Sequence, residues 1–189
     1  GETLALLDEA DGVADFWNRY FTHYVRQEGK ARWAEKTPNN VFFANQFLEM
    51  YPNGRFIHML RDGRDVCLSF MDRRDTPPSV ALTRWIACME AATEIRDHRR
   101  CYELRYEELV QDPEAELEGL CHWLDEEYDA RMLDFHEKVD DHHWGYATSP
   151  VHTDSLKRWE SQKDDLPSGL RTTILLTLRT HLDRMNYPL

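Results

Sequence analysis

A strand that runs directly into a charged turn and then a helix places the strongest constraint on this fold. The apolar run at 55–60 predicts a β-strand, and Arg61–Asp65 leads from it into a helix that continues to about Arg74. A second predicted strand, Cys101–Arg105, follows another helix, which Ser79 is expected to cap. Strands that alternate with helices are typical of parallel βαβ units. The sequence therefore predicts an α/β fold with flanking helices.

The rest of the chain predicts further helices and one short strand. An apolar stripe at helical spacing covers residues 3–27, and a strand-like piece follows at Ala31–Glu35. Thr37 and Pro38 have the residue types of an N-cap and a first helical residue. Three later helices are predicted, one capped by Asp112, one over Asp129–Val139 and one capped by Ser168. The length of 189 residues favours a single domain over residues 1–189.

The net charge of −12 is concentrated in one part of the chain. Between Glu103 and Asp141 there are fifteen acidic residues and three basic ones, so the remainder is neutral. A nucleic-acid-binding protein relies on excess cationic charge, and the overall balance argues against that class. A small anionic ligand stays possible in the neutral part.

Hydropathy and cysteine usage indicate where such a chain works. No apolar run approaches the roughly 18 residues of a membrane span, and residues 1–10 lack the pattern of a secretory signal. The four cysteines show no C-x-x-C spacing and lie in apolar periodic contexts, which favours buried free thiols. We therefore expect a cytoplasmic protein with no membrane partner.

Cationic and hydroxylic residues follow the predicted strands at the edge where parallel α/β sheets bind ligands. Lys36 precedes a helix start, Arg61 ends a strand with Ser69 two helical turns further on, and Tyr106 follows the other strand. Lysine or arginine beside a helix N-terminus is typical of an anion site. The alternative is that the charged residues of the turn at 61–65 pair with one another. Neither G-x-x-x-x-G-K-[ST] nor G-x-G-x-x-G occurs in the sequence.

Four blocks in order give the chain a family resemblance. They are Trp33-Ala-Glu-Lys-Thr-Pro38, Phe56-Ile-His-Met-Leu-Arg-Asp-Gly-Arg-Asp-Val-Cys-Leu-Ser69, Arg105-Tyr-Glu-Glu-Leu-Val-Gln-Asp-Pro113 and Leu156-Lys-Arg-Trp159. Together they resemble the sulfotransferases that use 3′-phosphoadenosine 5′-phosphosulfate (PAPS), in particular the bacterial and tyrosylprotein-type branch. The resemblance runs from about Trp33 to Pro188 and implies a P-loop-like, three-layer α/β/α fold around a central parallel sheet.

The resemblance also implies a role for each matching residue. Arg61 and Ser69 would hold the 3′-phosphate of the nucleotide, and Tyr106 would lie against the adenine. Lys36 would act at the sulfuryl group and its bridging oxygen, with no metal. Three further residues are implied around the phosphates: Arg73 one turn after Ser69, and Lys157 and Arg158 from a late loop. The acceptor would be a hydroxyl or amine of a small molecule, peptide or glycan.

Two elements of the family pattern are missing from this sequence. No R-S-G-T-T-like phosphosulfate loop occurs before Trp33, so we expect a C-terminal portion of the catalytic domain whose N-terminal strand and loop are absent. The position two residues after Lys36, where phenol sulfotransferases carry a histidine, holds Pro38, and the general base stays unassigned.

Three other functions follow from these departures and from the rest of the sequence. A catalytically silent nucleotide-binding module is the main alternative, because the loop is missing. A kinase relative is disfavoured because no Walker lysine is present. The histidine-rich stretch at 140–146, with His136 and His152, suggests a metal site, but its spacing fits no zinc pattern, and we predict no metal.

Overall fold

The computed structural model describes residues 2–137, 151, 153 and 156–189, without the side chains of residues 2, 3, 73 and 74. The chain divides into two compact units, Gly1–Gly54 and Arg55–Leu189. The boundary lies in the turn that precedes the first strand.

The first unit is helical. Its elements are α1 (Glu2–Asp8), α2 (Val13–Gln27), a 3-10 helix (Pro38–Phe43) and α3 (Ala44–Met50). The single helix predicted over 3–27 is interrupted at Gly12, whose φ of 141° lies in a region that side-chain-bearing residues rarely adopt.

The segment that carries Lys36 is extended but is not a strand. Residues 32–37 have no regular structure, so the strand predicted at Ala31–Glu35 is wrong. A strand needs a partner for its backbone groups, and the two strands of the described sheet pair with each other. Thr37 does occupy the N-cap position before Pro38, but its hydroxyl donates to the Glu35 carboxylate instead of capping the helix.

The second unit is built on a parallel pair of strands, β1 (Phe56–Leu60) and β2 (Cys101–Arg105). The crossover between them carries α4 (Gly63–Arg74) and α5 (Pro78–Thr93). The register places Leu60 opposite Arg105, so the two strands end together at one edge of the sheet. This arrangement confirms the predicted α/β class and the predicted βαβ unit.

Helices pack on both faces of this sheet, although Ile57 and Met59 of β1 stay exposed on one of them. The remaining elements are α6 (Tyr106–Gln111), α7 (Pro113–Leu124), 3-10 turns at Ala130–Met132 and Phe135–Glu137, α8 (Arg158–Gln162) and α9 (Ser168–Arg184). On one face, Leu60 joins a buried core with residues of α4, α5 and α9, including Leu82 and Leu178. On the other face, the Tyr102 ring lies 5.2 Å from the Trp123 ring of α7. The layers are therefore helix, sheet and helix.

Helix starts show how well capping signals predict boundaries. Asp112 caps α7 as predicted, because its carboxylate accepts a hydrogen bond from the Ala115 amide at 3.2 Å. Ser79 and Ser168 do not cap their helices, since the N-cap positions are held by Pro77 and Pro167. In the described part of the helix predicted over Asp129–Val139, two short 3-10 turns occur instead.

None of the helices within the described residues is both long and apolar enough to cross a membrane. The four cysteines are free thiols, as predicted, but only Cys67 and Cys121 are buried, while Cys88 and Cys101 are half-buried. Burial raises the pKa of the Cys67 thiol to about 11, which makes it a poor nucleophile at neutral pH.

Candidate functional site

The turn after β1 is organised by Asp62, which caps α4. Its Oδ1 accepts a hydrogen bond from the Arg64 amide at 2.8 Å, and the Arg64 guanidinium lies 2.6 Å from Oδ2. The Arg64 side chain is only 3% exposed. The alternative of charge pairing within the turn is therefore observed: Arg64 pairs with Asp62, and Arg61 forms a longer ion pair with Asp65. The Asp62 carboxylate occupies the start of the helix.

Arg61 is held differently from Arg64. Its guanidinium carbon lies 4.3 Å from the centre of the Tyr106 ring, and Nη2 is 3.8 Å from the Asp65 carboxylate. Because Leu60 and Arg105 are register partners, the residues that follow them, Arg61 and Tyr106, emerge side by side. A guanidinium stacked on an aromatic ring is oriented by the ring, and the longer ion pair leaves its contact with Asp65 weaker than that of Arg64 with Asp62.

Helix α8 reaches the same face of α4 through two aspartates. Asp65 accepts a hydrogen bond from the Trp159 amide at 2.8 Å, and Asp72 forms an ion pair with the Arg158 guanidinium. Asp65 is buried, and burial raises the pKa of its carboxyl group. Ser69 is half-buried and lies four residues after Asp65 and three before Asp72, spacings that share one helix face. The structure thus brings Arg61, Ser69 and Arg158 to one side of α4.

Three other predicted residues are not part of this arrangement as the structure describes it. Lys157 is exposed and adopts a left-handed conformation, φ 55°, immediately before α8. Arg73 lies near the end of α4, and its side chain is outside the described ones. Lys36 belongs to the first unit, where it is exposed in the extended segment. Their assigned roles stay predictions.

The described residues contain no set of side chains arranged as metal ligands. No group of three or more His, Cys, Asp or Glu side chains in that part of the chain is placed to hold a metal ion. The histidine-rich stretch at 140–146 and His152 lie outside the described residues, so the metal alternative raised by the sequence is not tested there.

Sequence reasoning missed the acidic residues that arrange the arginines. Asp72 could have been found from its spacing of seven residues after Asp65, which places both on one face of α4. Glu107 carried no such signal. It accepts a hydrogen bond from the Asp62 amide at 2.9 Å, a contact between residues 45 positions apart that only the fold creates.

Comparison with known proteins identifies the family. The model of the family described as "Sulfotransferase family" matches residues 7–130. Protein-tyrosine sulfotransferase A of Caenorhabditis elegans is 26% identical over 146 residues, 68% of this chain and 38% of that protein. The omega-hydroxy-beta-dihydromenaquinone-9 sulfotransferase of Mycobacterium bovis is 28% identical over 143 residues, 65% of this chain and 37% of that protein. The matches thus span less than half the length of these relatives.

Solved structures share the fold. The sulfotransferase domain from the Synechococcus PCC 7002 olefin synthase superposes with a TM-score of 0.67 at 20% identity, over 93% of this chain and 64% of that one. The sulfotransferase domain from the curacin biosynthetic pathway gives a TM-score of 0.61 at 18% identity, over 82% and 62%. The expected α/β fold is confirmed, and the family match covers more than half of the residues. The chain belongs to the sulfotransferase family.

Proposed function

We propose that the protein transfers a sulfuryl group from PAPS to an acceptor hydroxyl or amine, and that the second unit binds the 3′-phosphate of the nucleotide. The observation that carries this proposal is the position of Arg61. Its guanidinium follows the carboxyl end of β1, where parallel α/β sheets bind ligands, and is stacked at 4.3 Å on Tyr106.

The side chains along α4 have the chemistry that a phosphate requires. A guanidinium matches phosphate oxygens with two parallel N–H donors, and a serine hydroxyl adds a third. Arg61 is held in place while its ion pair with Asp65 stays long at 3.8 Å, so a dianionic phosphate can compete for it. Arg158 carries a second guanidinium to the same helix face, where it is closely paired with Asp72 and would exchange that partner for the phosphate.

The 3′-phosphate and the reacting centre make different demands on the protein. PAPS supplies an activated sulfuryl group whose bond to the 5′-phosphate oxygen breaks as the acceptor bonds to sulfur. Negative charge then builds on the departing phosphate, and a positioned cation lowers the barrier by neutralising it. In this proposal Lys36 donates to that oxygen, while Arg61 and Ser69 contribute mainly by positioning the nucleotide.

The acceptor belongs to the class named for the relatives. One acts on protein tyrosine and another on an omega-hydroxylated menaquinone, which are both hydroxyl acceptors. We propose a hydroxyl group of a small molecule, peptide or glycan as the first acceptor to test, with an amine as the alternative. Acceptor pockets are formed by loops that vary while the fold persists.

Calorimetry with adenosine 3′,5′-bisphosphate and the full-length protein tests the proposal. Arg61→Ala removes charge-assisted hydrogen bonds and should weaken binding about 10- to 100-fold, with a smaller loss for Ser69→Ala. Arg179→Ala, which removes an exposed arginine of α9, serves as the charge-matched control and should leave affinity unchanged. Failure of the wild-type protein to bind would refute the nucleotide site.

Sulfate transfer is tested separately from nucleotide binding. The full-length protein should move radiolabelled sulfate from PAPS to at least one acceptor in a panel of phenols, alcohols, amines and tyrosine peptides. Tight nucleotide binding without transfer to any acceptor would contradict the enzymatic function and support the alternative, a catalytically silent nucleotide-binding module.

A further inference from the structure

The peptide group that joins Arg61 to Asp62 is held at both of its polar atoms. The Arg61 carbonyl accepts a hydrogen bond from Trp85 Nε1 at 3.1 Å, and the Asp62 amide donates to Glu107 Oε1 at 2.9 Å. Trp85 lies on α5 and Glu107 on α6, so two helices on different parts of the chain set the plane of one peptide. Rotation of that plane would break both bonds at once.

Trp85 also fixes the turn by packing. It is buried, and a Cβ added to Gly63 would lie 2.7 Å from its ring. Glycine therefore permits the backbone to approach the indole closely enough for the hydrogen bond to form. The turn is confined by a polar contact at Arg61 and by a steric contact two residues later.

Glu107 is in turn held from the C-terminal end of the chain. Its Oε2 accepts a hydrogen bond from the Tyr187 hydroxyl at 3.0 Å. Burial, and then the charge of Glu107, raise the pKa of Tyr187, so the hydroxyl stays a donor at physiological pH. Arg105 stacks on the Tyr187 ring at 5.1 Å and donates to the Met185 carbonyl at 2.6 Å, which fixes this end of the chain.

The negative charge of Glu107 would not by itself help the site to bind an anion. A carboxylate in contact with the residue after Arg61 opposes the binding of a phosphate rather than assisting it. Its neighbour Tyr106 lies under the Arg61 guanidinium. The first two residues of α6 thus both hold Arg61. Tyr106 contacts its side chain, and Glu107 binds the peptide group that follows it.

We propose that Glu107 and Trp85 are positioning residues that orient Arg61 toward the phosphate of its ligand. This inference rests on the proposed function, because it assumes that Arg61 binds an anion. Glu107 acts through Arg61 and touches neither the nucleotide nor the acceptor. A displacement of about 1 Å of the guanidinium is enough to lose most of the binding energy of a bidentate contact with the phosphate.

A double-mutant cycle tests the assignment, with adenosine 3′,5′-bisphosphate affinity measured by calorimetry on the full-length protein. Glu107→Ala should weaken binding about 5- to 30-fold, whereas Glu107→Gln keeps a carbonyl acceptor for the Asp62 amide and should retain most of the affinity. In the Arg61→Ala background, Glu107→Ala should cost nothing further, because its effect passes through the missing side chain. Glu108→Ala removes an exposed carboxylate of the same helix and is the charge-matched control.

The outcomes separate this inference from the proposed function. Tighter binding in Glu107→Ala, or a loss that adds fully to that of Arg61→Ala, would overturn the positioning role while leaving the nucleotide site intact. Unchanged affinity in Arg61→Ala would overturn both. Should Glu107→Ala fail to fold, Tyr187→Phe removes one bond to Glu107 and keeps the ring. It should weaken binding about 2- to 3-fold only when Arg61 is present.

Discussion

The contacts inside the first unit differ in kind from those inside the second. The second unit has a core with completely buried side chains, among them Leu60, Ile174 and Leu178. In the first unit α2 buries no residue, and its aromatic side chains contact one another while partly exposed, with the Trp17 and Phe21 rings 5.6 Å apart. The second unit therefore has the larger buried core, while the first unit buries Val41, Ala44 and Leu48 outside α2.

The two cations in the proposed mechanism also have different surroundings. The turn around Arg61 is fixed by hydrogen bonds that reach across 24 and 45 positions of sequence. Beside Lys36, the Glu35 carboxylate accepts from Thr37 and Asn40, two and five positions away. Three positions before Lys36, the Trp33 ring lies 4.8 Å from Phe21 and 5.7 Å from Tyr51, so this segment also has tertiary contacts, although they are aromatic. The Arg61 turn is fixed by hydrogen bonds to its backbone, which preorganise it more tightly.

The largest expected difference between the units is in the cost of truncating a leucine. Leu178→Ala leaves a cavity in the core of the second unit and should lower the free energy of unfolding by about 2–5 kcal/mol. Leu7→Ala in α1, where the side chain is 54% exposed, should change it by less than about 0.5 kcal/mol. Urea denaturation followed by circular dichroism measures both, and equal losses would contradict the contrast.

The two cations should separate binding from turnover. Arg61→Ala is expected to raise the dissociation constant for the nucleotide about 10- to 100-fold. Lys36→Ala should lower kcat by about 100-fold or more while changing that constant less than about 3-fold, because its contact strengthens as charge develops. Steady-state kinetics with calorimetry provide the comparison, and parallel losses in both quantities for Lys36→Ala would refute its role.

Helix caps in the two units should also differ. Asp112 accepts from the Ala115 amide, and Asp112→Ala should cost about 1 kcal/mol of unfolding free energy. Thr37 occupies an N-cap position without a capping bond, and Thr37→Ala should cost only a few tenths of a kcal/mol. Thermal denaturation of the matched pair tests this, and a larger loss at Thr37 would show that its bond to Glu35 matters more than the cap.

The smallest effect is a pH dependence of the second unit. Two neighbours lower the pKa of the Glu103 carboxyl group. The first is the His58 ring, whose Nδ1 lies 3.8 Å from the carboxylate, and the second is the Arg96 guanidinium at 2.8 Å. The contribution of Glu103 to stability is present above the unfolded pKa of about 4.3 and is lost as the pH falls through the lowered folded value. Glu103→Gln should therefore destabilise at pH 7 and converge with wild type in acid.

Denaturation at a series of pH values measures that convergence, with the exposed Glu118→Gln as control. A constant difference between Glu103→Gln and wild type at every pH would show that the carboxylate does not act through its charge.

Local signals in the sequence were enough to predict the part of the fold that lies around β1. The apolar run, the charged turn and the helix after it all agree, because each depends on neighbouring residues. The juxtaposition of Arg61 and Tyr106 also follows, since parallel strands that end together place their next residues side by side. The cap at Asp112 was predictable for the same local reason.

Contacts made by tertiary packing were not predictable in this way. The break at Gly12 needs a backbone conformation that no periodicity encodes, and α6 is a six-residue helix too short to show a period. The bond from the Asp62 amide to Glu107 spans 45 positions and follows from the crossover rather than from any motif. The residues proposed to bind the nucleotide were therefore visible in the sequence, while Glu107, which holds the turn beside them, was not.

The central claim is that Arg61 binds the 3′-phosphate of the nucleotide. The most direct test removes that phosphate from the ligand and the Arg61 side chain from the protein. Calorimetry compares adenosine 3′,5′-bisphosphate with adenosine 5′-phosphate on wild type and on Arg61→Ala. If Arg61 binds the 3′-phosphate, wild type should prefer the bisphosphate by about 10-fold or more, and the preference should nearly vanish in the variant. A preference of the same size in both proteins would contradict the account and place the 3′-phosphate on other residues.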